Sequence, residues 1–306
     1  MKDDVLLLKH LCQLPAHKLL NVLNKILTQI GMQQVYYQNQ YLYASGDIPI
    51  LLVAHVDTVF KRPPTNIFHD AQHQVVWSPE GLGADDRAGV YAILQILFAT
   101  RLKPSVLFTT GEETGGTGVI QFCYDFPTPI SQPKYVIELD RKGQDECVFY
   151  LCDNQQFQDY IESFGFCTNL GTFTDISLLC PQWKVAGVNL SVGYFNEHSY
   201  SEFLNLNYLN GTIQKVIQML EDYASAEYYI FQYPNDYFIY NKKCCICHRP
   251  GNSYNFYDIM TETGGSGWIC SSCYSEYASF CDDCGNDFID KTQTEKYCPR
   301  CRKKKR

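Results

Sequence analysis

His55 and Asp57 stand one residue apart at the end of the apolar run "IPILLVAHVD". Four further stretches carry acids or a histidine: Asp85 and Asp86 in "GLGADDRAG", Glu112 and Glu113 in "TTGEETGG", Asp140 in "VIELDR", and His198 in "NEHSYSE". Two imidazoles with several carboxylates are a donor set that suits zinc, with cobalt or manganese as substitutes. Two neighbouring metals need one shared carboxylate, and one histidine and one further carboxylate each, which leaves a bridging water as nucleophile. The five stretches supply that number. Asp57 is spaced to accept a hydrogen bond from the His55 imidazole and fix its tautomer. A Glu-Glu pair makes sense if one carboxylate binds metal and its neighbour takes a proton from the water.

Taken singly, each residue also has a plain structural reading. Adjacent acids are commonly solvated loop charges, Asp140 can cap a helix, and His198 can sit on the surface. Joint occurrence decides against that reading, because each stretch follows a predicted strand. "QVYYQNQYLYAS", "IPILLVAH", "SVLFTT", "KYVIELD" and "KVAGVNLSVGY" read as strands, several of them apolar throughout. Residues 1 to 31, "AGVYAILQILFAT", "TGVIQFCYDF", "NQQFQDYIESFGF" and "LNYLNGTIQKVIQMLEDYA" read as helices. The alternation predicts an α/β three-layer sandwich with a mixed, largely parallel central sheet. In such sheets ligands bind at the carboxyl ends of the strands, where these acids fall.

The ordered set "AHVDTV", "GLGADDRAG", "GEETGG", "IELD" and "NEHSYSEF" resembles the motifs of the co-catalytic di-zinc peptidases. That superfamily takes in tripeptidase-like and carboxypeptidase/deacylase-like enzymes and the leucyl and glutamyl aminopeptidases. The resemblance covers residues 1 to about 222. It implies that His55 and Asp140 bind the first metal and that Glu113 and His198 bind the second. It further implies that Asp85 bridges both metals, Glu112 is the general base and Asp57 orients His55. The choice of Asp85 over Asp86 rests on aligning "ADDR" with the family pattern. Asp140 is preferred to Glu138 in "IELD", although strand alternation points both to one face and spacing alone does not separate them. The resemblance also brings "GTFTDISLL" near the active site, where Asp175 either binds a substrate amino group or caps a helix.

Relatives often carry a lid domain between the third carboxylate and the last histidine, or an insertion between the first histidine and the bridging aspartate. Here Asp140 and His198 are 58 positions apart, and His55 and Asp85 are 30 apart. Neither interval holds a domain, so the expectation is a bare catalytic core. The activity implied is hydrolysis of a peptide or amide bond, by an aminopeptidase or dipeptidase acting on a short peptide. The alternatives are a deacylase of N-acyl amino acids and a binding protein whose hydrolase core is a scaffold. The complete ligand set and the intact Glu112–Glu113 pair argue against the scaffold.

Composition changes after residue 222. A tyrosine-rich stretch over 223–243 reads as a linker, and a cysteine-rich module with a basic "RKKKR" tail fills 244–306. Of 15 cysteines, eight form four C-x-x-C pairs: Cys244 and Cys247, Cys270 and Cys273, Cys281 and Cys284, Cys298 and Cys301. Eight thiolates match two tetrahedral Cys₄ zinc sites of a zinc-ribbon-type domain. Sequential pairing is simplest, and a cross-braced arrangement uses the same eight. The other cysteines read as reduced thiols. A net charge of −8 disfavours bulk attraction to nucleic acid or an anionic membrane. The module and its basic tail remain the place for contact with a protein or nucleic acid. The acidic N-terminal stretch and the lack of a long apolar run point to a cytoplasmic protein with no membrane partner.

Overall fold

The computed structural model describes residues 2–234, 242–251 and 256–304. The chain divides into two compact units, Met1–Gln232 and Tyr233–Arg306. The first therefore runs past the expected boundary at residue 222, and the second begins before Cys244.

The first unit opens with two helices, α1 (Lys2–Gln13) and α2 (Ala16–Gln29), separated at Pro15. A hairpin of β1 (Gln33–Tyr37) and β2 (Tyr41–Ser45) leads to β3 (Ile48–His55). The short β4 (Phe68–Asp70) and β5 (Val75–Trp77) precede α3 (Ala84–Ala99). Next come β6 (Pro104–Thr109), α4 (Thr117–Asp125), β7 (Tyr135–Arg141), β8 (Glu146–Val148), α5 (Gln155–Ser163) and β9 (Cys167–Thr168). The unit finishes with α6 (Ile176–Trp183), β10 (Gly187–Ser191), β11 (Tyr194–Phe195), β12 (Phe203–Asn205) and α7 (Leu206–Glu221). Every long element read from the sequence is present, with the N-terminal helical stretch split in two. Most of the short strands were not anticipated, and α6 is the helix that one of the two readings of Asp175 called for.

Eight strands form one sheet in the order β1-β2-β6-β3-β7-β10-β8-β9. Its middle four strands, β6, β3, β7 and β10, run parallel. Strands β3 and β6 are buried along almost their whole length, in keeping with their largely apolar sequences. Helix α3 packs on β3 and β7 with α1 and α7 beside it, while α4 and α6 pack together as a second helical group. Four of the short strands form a separate sheet, β11-β12-β5-β4.

The parallel register brings functional ends together. His55 pairs with Thr109, and Val53 pairs with Glu138, so His55 and Asp140 finish side by side. Strand β7 carries one extra residue at this point. Asn189 lies opposite Glu138, but Ser191 lies opposite Arg141. The bulge re-aims the side chain that follows Glu138 on the strand. Residues 223–231 stay with the first unit. Lys134 Nζ donates to the carbonyls of Tyr223 (2.9 Å), Ala224 (3.4 Å) and Ala226, and Tyr229 is buried against Tyr135, Phe157 and Tyr160. Residues 235–241 of the expected linker lie outside the described residues.

The second unit holds β13 (Lys242–Lys243), β14 (Pro250–Gly251), β15 (Phe256–Met260), β16 (Ser266–Cys270), α8 (Ser271–Tyr277), β17 (Ala278–Phe280), β18 (Asp287–Ile289) and α9 (Pro299–Lys304). Four strands form a sheet ordered β16-β15-β18-β17. Its two small cores are built around thiols. One gathers Cys244 and Cys273 with Phe256, Ile259, Ile269 and Ile289, and the other gathers Cys281, Cys298 and Cys301 with Met260 and Phe288. The basic tail begins as the last turn of α9, and its final two residues lie outside the described residues. Among the described residues, no helix is long and apolar enough to cross a membrane.

Gly89 tests the packing of α3 on β7. Alanine in a helix normally stabilises relative to glycine by about 1 kcal/mol. A Cβ at 89, however, would lie 1.9 Å from the Leu139 carbonyl oxygen and 2.5 Å from Asp86 Oδ1. Gly89→Ala is therefore expected to destabilise, by about 3 kcal/mol, read as a lower midpoint in chemical denaturation.

Candidate active site

Asp85 sits between the two histidines. Its Oδ1 is 3.2 Å from His55 Nε2, and its Oδ2 is 3.2 Å from His198 Nε2. Glu113 Oε2 lies 3.0 Å from His198 Nε2 on one side, and Asp140 Oδ1 lies 3.6 Å from His55 Nε2 on the other. Glu112 Oε2 reaches to 3.9 Å from His55 Nε2. The structure thus brings together all six residues for which sequence suggested a ligand or base role. Asp57 faces His55 Nδ1 at 3.4 Å and accepts from the backbone N–H groups of Glu112 (3.4 Å) and Glu113 (3.3 Å).

Side-chain contacts separate the pairs that sequence left open. Asp86 lies within reach of His55 and Asp140, but its two oxygens are taken by backbone donors. Oδ2 accepts from His55 N–H (3.2 Å) and Oδ1 from Gly89 N–H (2.8 Å). Asp85 alone of the two touches both imidazoles. Glu138 is fully buried and accepts from Ile176 N–H at 3.4 Å, whereas Asp140 faces the cleft. The bulge in β7 explains why two residues of expected common face diverge. Asp175 neither caps α6 with its side chain nor lines the cleft. It is fully buried and accepts the hydroxyl proton of Thr109.

Sequence reasoning did not find the groups that hold these residues. The buried Glu202 carboxylate accepts from three successive N–H groups, Gly83 (2.6 Å), Ala84 (3.1 Å) and Asp85 (3.1 Å). It satisfies the start of α3, where Gly83 is left-handed (φ 67°) and offers no side-chain cap. The Asn189 amide spans the bulge, with Oδ1 accepting Asp140 N–H (2.9 Å) and Nδ2 donating to Asp140 C=O (3.1 Å). Tyr194 Oη donates to Asp140 O (3.0 Å) and faces Oδ1 (3.2 Å). Arg87, part of the "DDRAG" motif, is buried and donates to the Leu11 carbonyl of α1, so it serves the scaffold. "NEHSYSEF" contained Glu202 as a signal, but nothing local marked its partners, more than a hundred positions away.

The cleft holds about 190 Å³ and is lined by the acids, His198, Arg141, Lys142, Tyr150, Phe173, Tyr194 and Glu197. Arg141 is paired with Glu146 (2.9 Å) and Lys142 with Glu197 (2.5 Å) at its rim. A larger apolar groove of about 560 Å³ between α4 and α6, lined by residues such as Ile120, Tyr124 and Leu178, carries no such cluster. Charge is unbalanced in the cleft. Burial, reinforced by Asp140, Asp175 and Glu113, pushes Glu112 up to about 8. Burial and then Asp85 push Glu113 to about 7. The Asp85 carboxylate, with Glu113 behind it, raises His198 to about 9. Glu113 Oε1 is buried without a hydrogen-bond partner. Acceptors facing acceptors, with an orphaned buried oxygen, are what a bound cation resolves. His55, Asp85 and Glu113 offer atoms within 4.8 Å of one another. The donor set therefore fits divalent metal.

In the second unit the thiols gather as Cys244, Cys247, Cys270 and Cys273, and as Cys281, Cys284, Cys298 and Cys301. The grouping is sequential. The backbone N–H of Cys270 points at Cys244 Sγ (3.5 Å) and that of Cys298 at Cys281 Sγ (3.2 Å). Burial opposes ionisation, but backbone donors outweigh it and bring Cys244 and Cys281 down to about 6, favouring the ligating thiolate. Cys245 and His248 stand outside both groups.

No family model matches the sequence, and no curated protein matches it. Solved structures do. Aminopeptidase PepT from Bacillus cereus superposes with a TM-score of 0.58 at 14% identity, covering 72% of this chain and 98% of its own. A tripeptidase from Staphylococcus aureus gives 0.58 at 13%, covering 71% and 97%. Aminopeptidase APDkam598 from the archaeon Desulfurococcus kamchatkensis gives 0.56 at 13%, covering 74% and 98%. The chain carries the fold of these peptidases.

Glu202→Ala is expected to leave three buried N–H groups unpaired and to cost about 3 kcal/mol of stability. Glu202→Gln keeps one acceptor oxygen and should fall between the two. Chemical denaturation of the three proteins ranks them.

Proposed function

We propose that this chain is a metal-dependent hydrolase of amide bonds in short peptides, an aminopeptidase or dipeptidase. The observation that carries the reading is the Asp85 carboxylate lying 3.2 Å from each of two imidazoles, with Glu113 beyond one and Asp140 beyond the other. The peptidase names of the structures that share its fold support the substrate class. In this reading His55 and Asp140 hold one divalent ion, Glu113 and His198 hold a second, and Asp85 serves both. Zinc suits the donors, with cobalt or manganese as substitutes. Bound there, such ions polarise a carbonyl and acidify water. Glu112 lines the cleft with its proton affinity raised, which suits a base that takes the proton of the attacking water and returns it to the leaving amine. Asp57 acts through position, tying the Glu112 and Glu113 backbone to His55.

A second reading has one specific support. Arg141 and Lys142 line the cleft, paired with Glu146 and Glu197, and an exchange of those partners for a substrate carboxylate would suit an N-acyl amino acid as well as a short peptide. In the second unit, each group of four thiols would hold a structural zinc, around which the small cores fold.

Three experiments test these assignments. A library of free and N-acetylated short peptides is incubated with the metal-loaded protein and read by mass spectrometry. Cleavage restricted to free amino termini is expected, and a requirement for the acyl group would select the second reading. Glu112→Gln should lower kcat by about 10³-fold while its metal content, measured by elemental analysis, stays at the wild-type value. For the second unit, Cys281→Ser should release one zinc equivalent and leave the Cys244 group loaded. Loss of no zinc would remove the Cys281 group from the ligand set.

A further inference from the structure

Tyr150 is built into the cleft with unusual care for a loop residue. Tyr150 and Leu151 are consecutive side-chain-bearing residues in the left-handed region, with φ of 45° and 66°. That conformation is uncommon outside glycine, and such residues gather at functional sites. The effect here is to turn the Tyr150 side chain from the end of β8 into the wall of the cleft. Gly171 closes on the ring from the facing loop. A Cβ at 171 would come within 3.0 Å of Tyr150 Cε1 and 3.2 Å of Cζ.

The direction of the phenol proton follows from Asn189. A backbone N–H can only donate, so the Asn189 atom that meets Asp140 N–H is the amide oxygen. The other end is then the NH₂ group, which donates to Asp140 C=O and, at 3.2 Å, to Tyr150 Oη. Tyr150 therefore accepts from Asn189, and its own proton has no acceptor among the described residues. Tyr194, the other phenol in the cleft, has committed its proton to Asp140. One tyrosine positions Asp140, and the other keeps a free donor in the wall of the cleft that Asp85, Glu112, Glu113 and His198 also line.

We propose that Tyr150 is a catalytic residue whose O–H donates a hydrogen bond to the scissile carbonyl oxygen as that oxygen gains charge. The inference rests on the hydrolase reading above. As the water oxygen bonds to the carbonyl carbon, the π pair moves onto the carbonyl oxygen. Tyr150 holds that oxygen while keeping its own proton. Glu112 takes the water proton. The C–N bond then breaks, the carbonyl re-forms as a carboxylic acid, and the Glu112 proton goes to the departing nitrogen. A donor fixed in advance and aimed where charge develops is the most effective form of such assistance.

The test is Tyr150→Phe in the full, metal-loaded chain. Against a peptide the wild type cleaves, kcat should fall by about 10²- to 10³-fold with KM within about twofold. Calorimetry with a phosphinic peptide, whose tetrahedral centre carries an oxygen in the same place, should show a matching loss of affinity. Affinity for the product amino acid should not change. Gly171→Ala, whose added methyl presses on the ring and so shifts a hydroxyl that is still present, should also lower kcat, and it decides the matter if the phenylalanine variant fails to fold. An active wild type with kcat/KM of Tyr150→Phe within threefold overturns the role of Tyr150 and leaves the hydrolase standing. Equal loss of affinity for the mimic and the product overturns it as well. A wild type that cleaves neither peptides nor N-acyl amino acids overturns both.

Discussion

Repulsion among carboxylates is the constraint on which the arrangement of the first unit depends. Asp85, Glu112, Glu113 and Asp140 share one edge of the sheet with two imidazoles, and left free they would turn away from one another into solvent. The fold prevents this by restraining these side chains through the backbone or through a buried neighbour. Asp57 draws the Glu112 and Glu113 amides toward His55. Glu202 gathers the three amides that lead into Asp85. Asn189 and Tyr194 bracket Asp140. Only His198 is loosely covered, with about half of its side chain exposed. It sits in a left-handed turn (φ 60°).

His55, Glu112, Glu113 and Asp140 were legible because they end or follow strands of the main sheet, and parallel strands deliver their ends to one edge, while Asp85 was legible from the motif that heads the apolar helix α3. The finer choices were not legible, for two separate reasons. Asp85 and Asp86 are chemically identical neighbours, and only their contacts distinguish them. Glu138 and Asp140 obey the strand period until a bulge breaks it, and no residue type announces that bulge. Asn189 spans it, yet asparagine within a buried strand reads simply as polar. Glu202 and Tyr150 were missed because their meaning lies in partners brought close by the fold. Helix α6 was legible only as one of two readings of Asp175, because it is short and contains Pro181. Strands β4, β5, β11 and β12 run two or three residues, too short for any period to show.

The second unit solves a different problem. Its apolar residues are few, and the buried ones collect around the eight thiols. The sheet joins the two groups, since β15 pairs with β16 beside the first and with β18 beside the second. The C-x-x-C spacing was legible without any structure, because ligand chemistry fixes it locally. The pairing of the four motifs depended on the sheet.

Over its first three turns helix α3 has no outer face. Every residue from Ala84 to Leu94 is buried, including Asp85, Asp86 and Arg87. Most helices of a soluble protein offer a solvent stripe on which substitutions drift without consequence. This one offers none over three turns. Its sequence is therefore held from all sides at once, by the sheet, by α1, by α7 and by the acids at its head. Variation in the chain has to accumulate elsewhere, on the open faces of α2, α5 and α7. An engineer seeking a site for a label, a tag or a cross-link should leave α3 untouched.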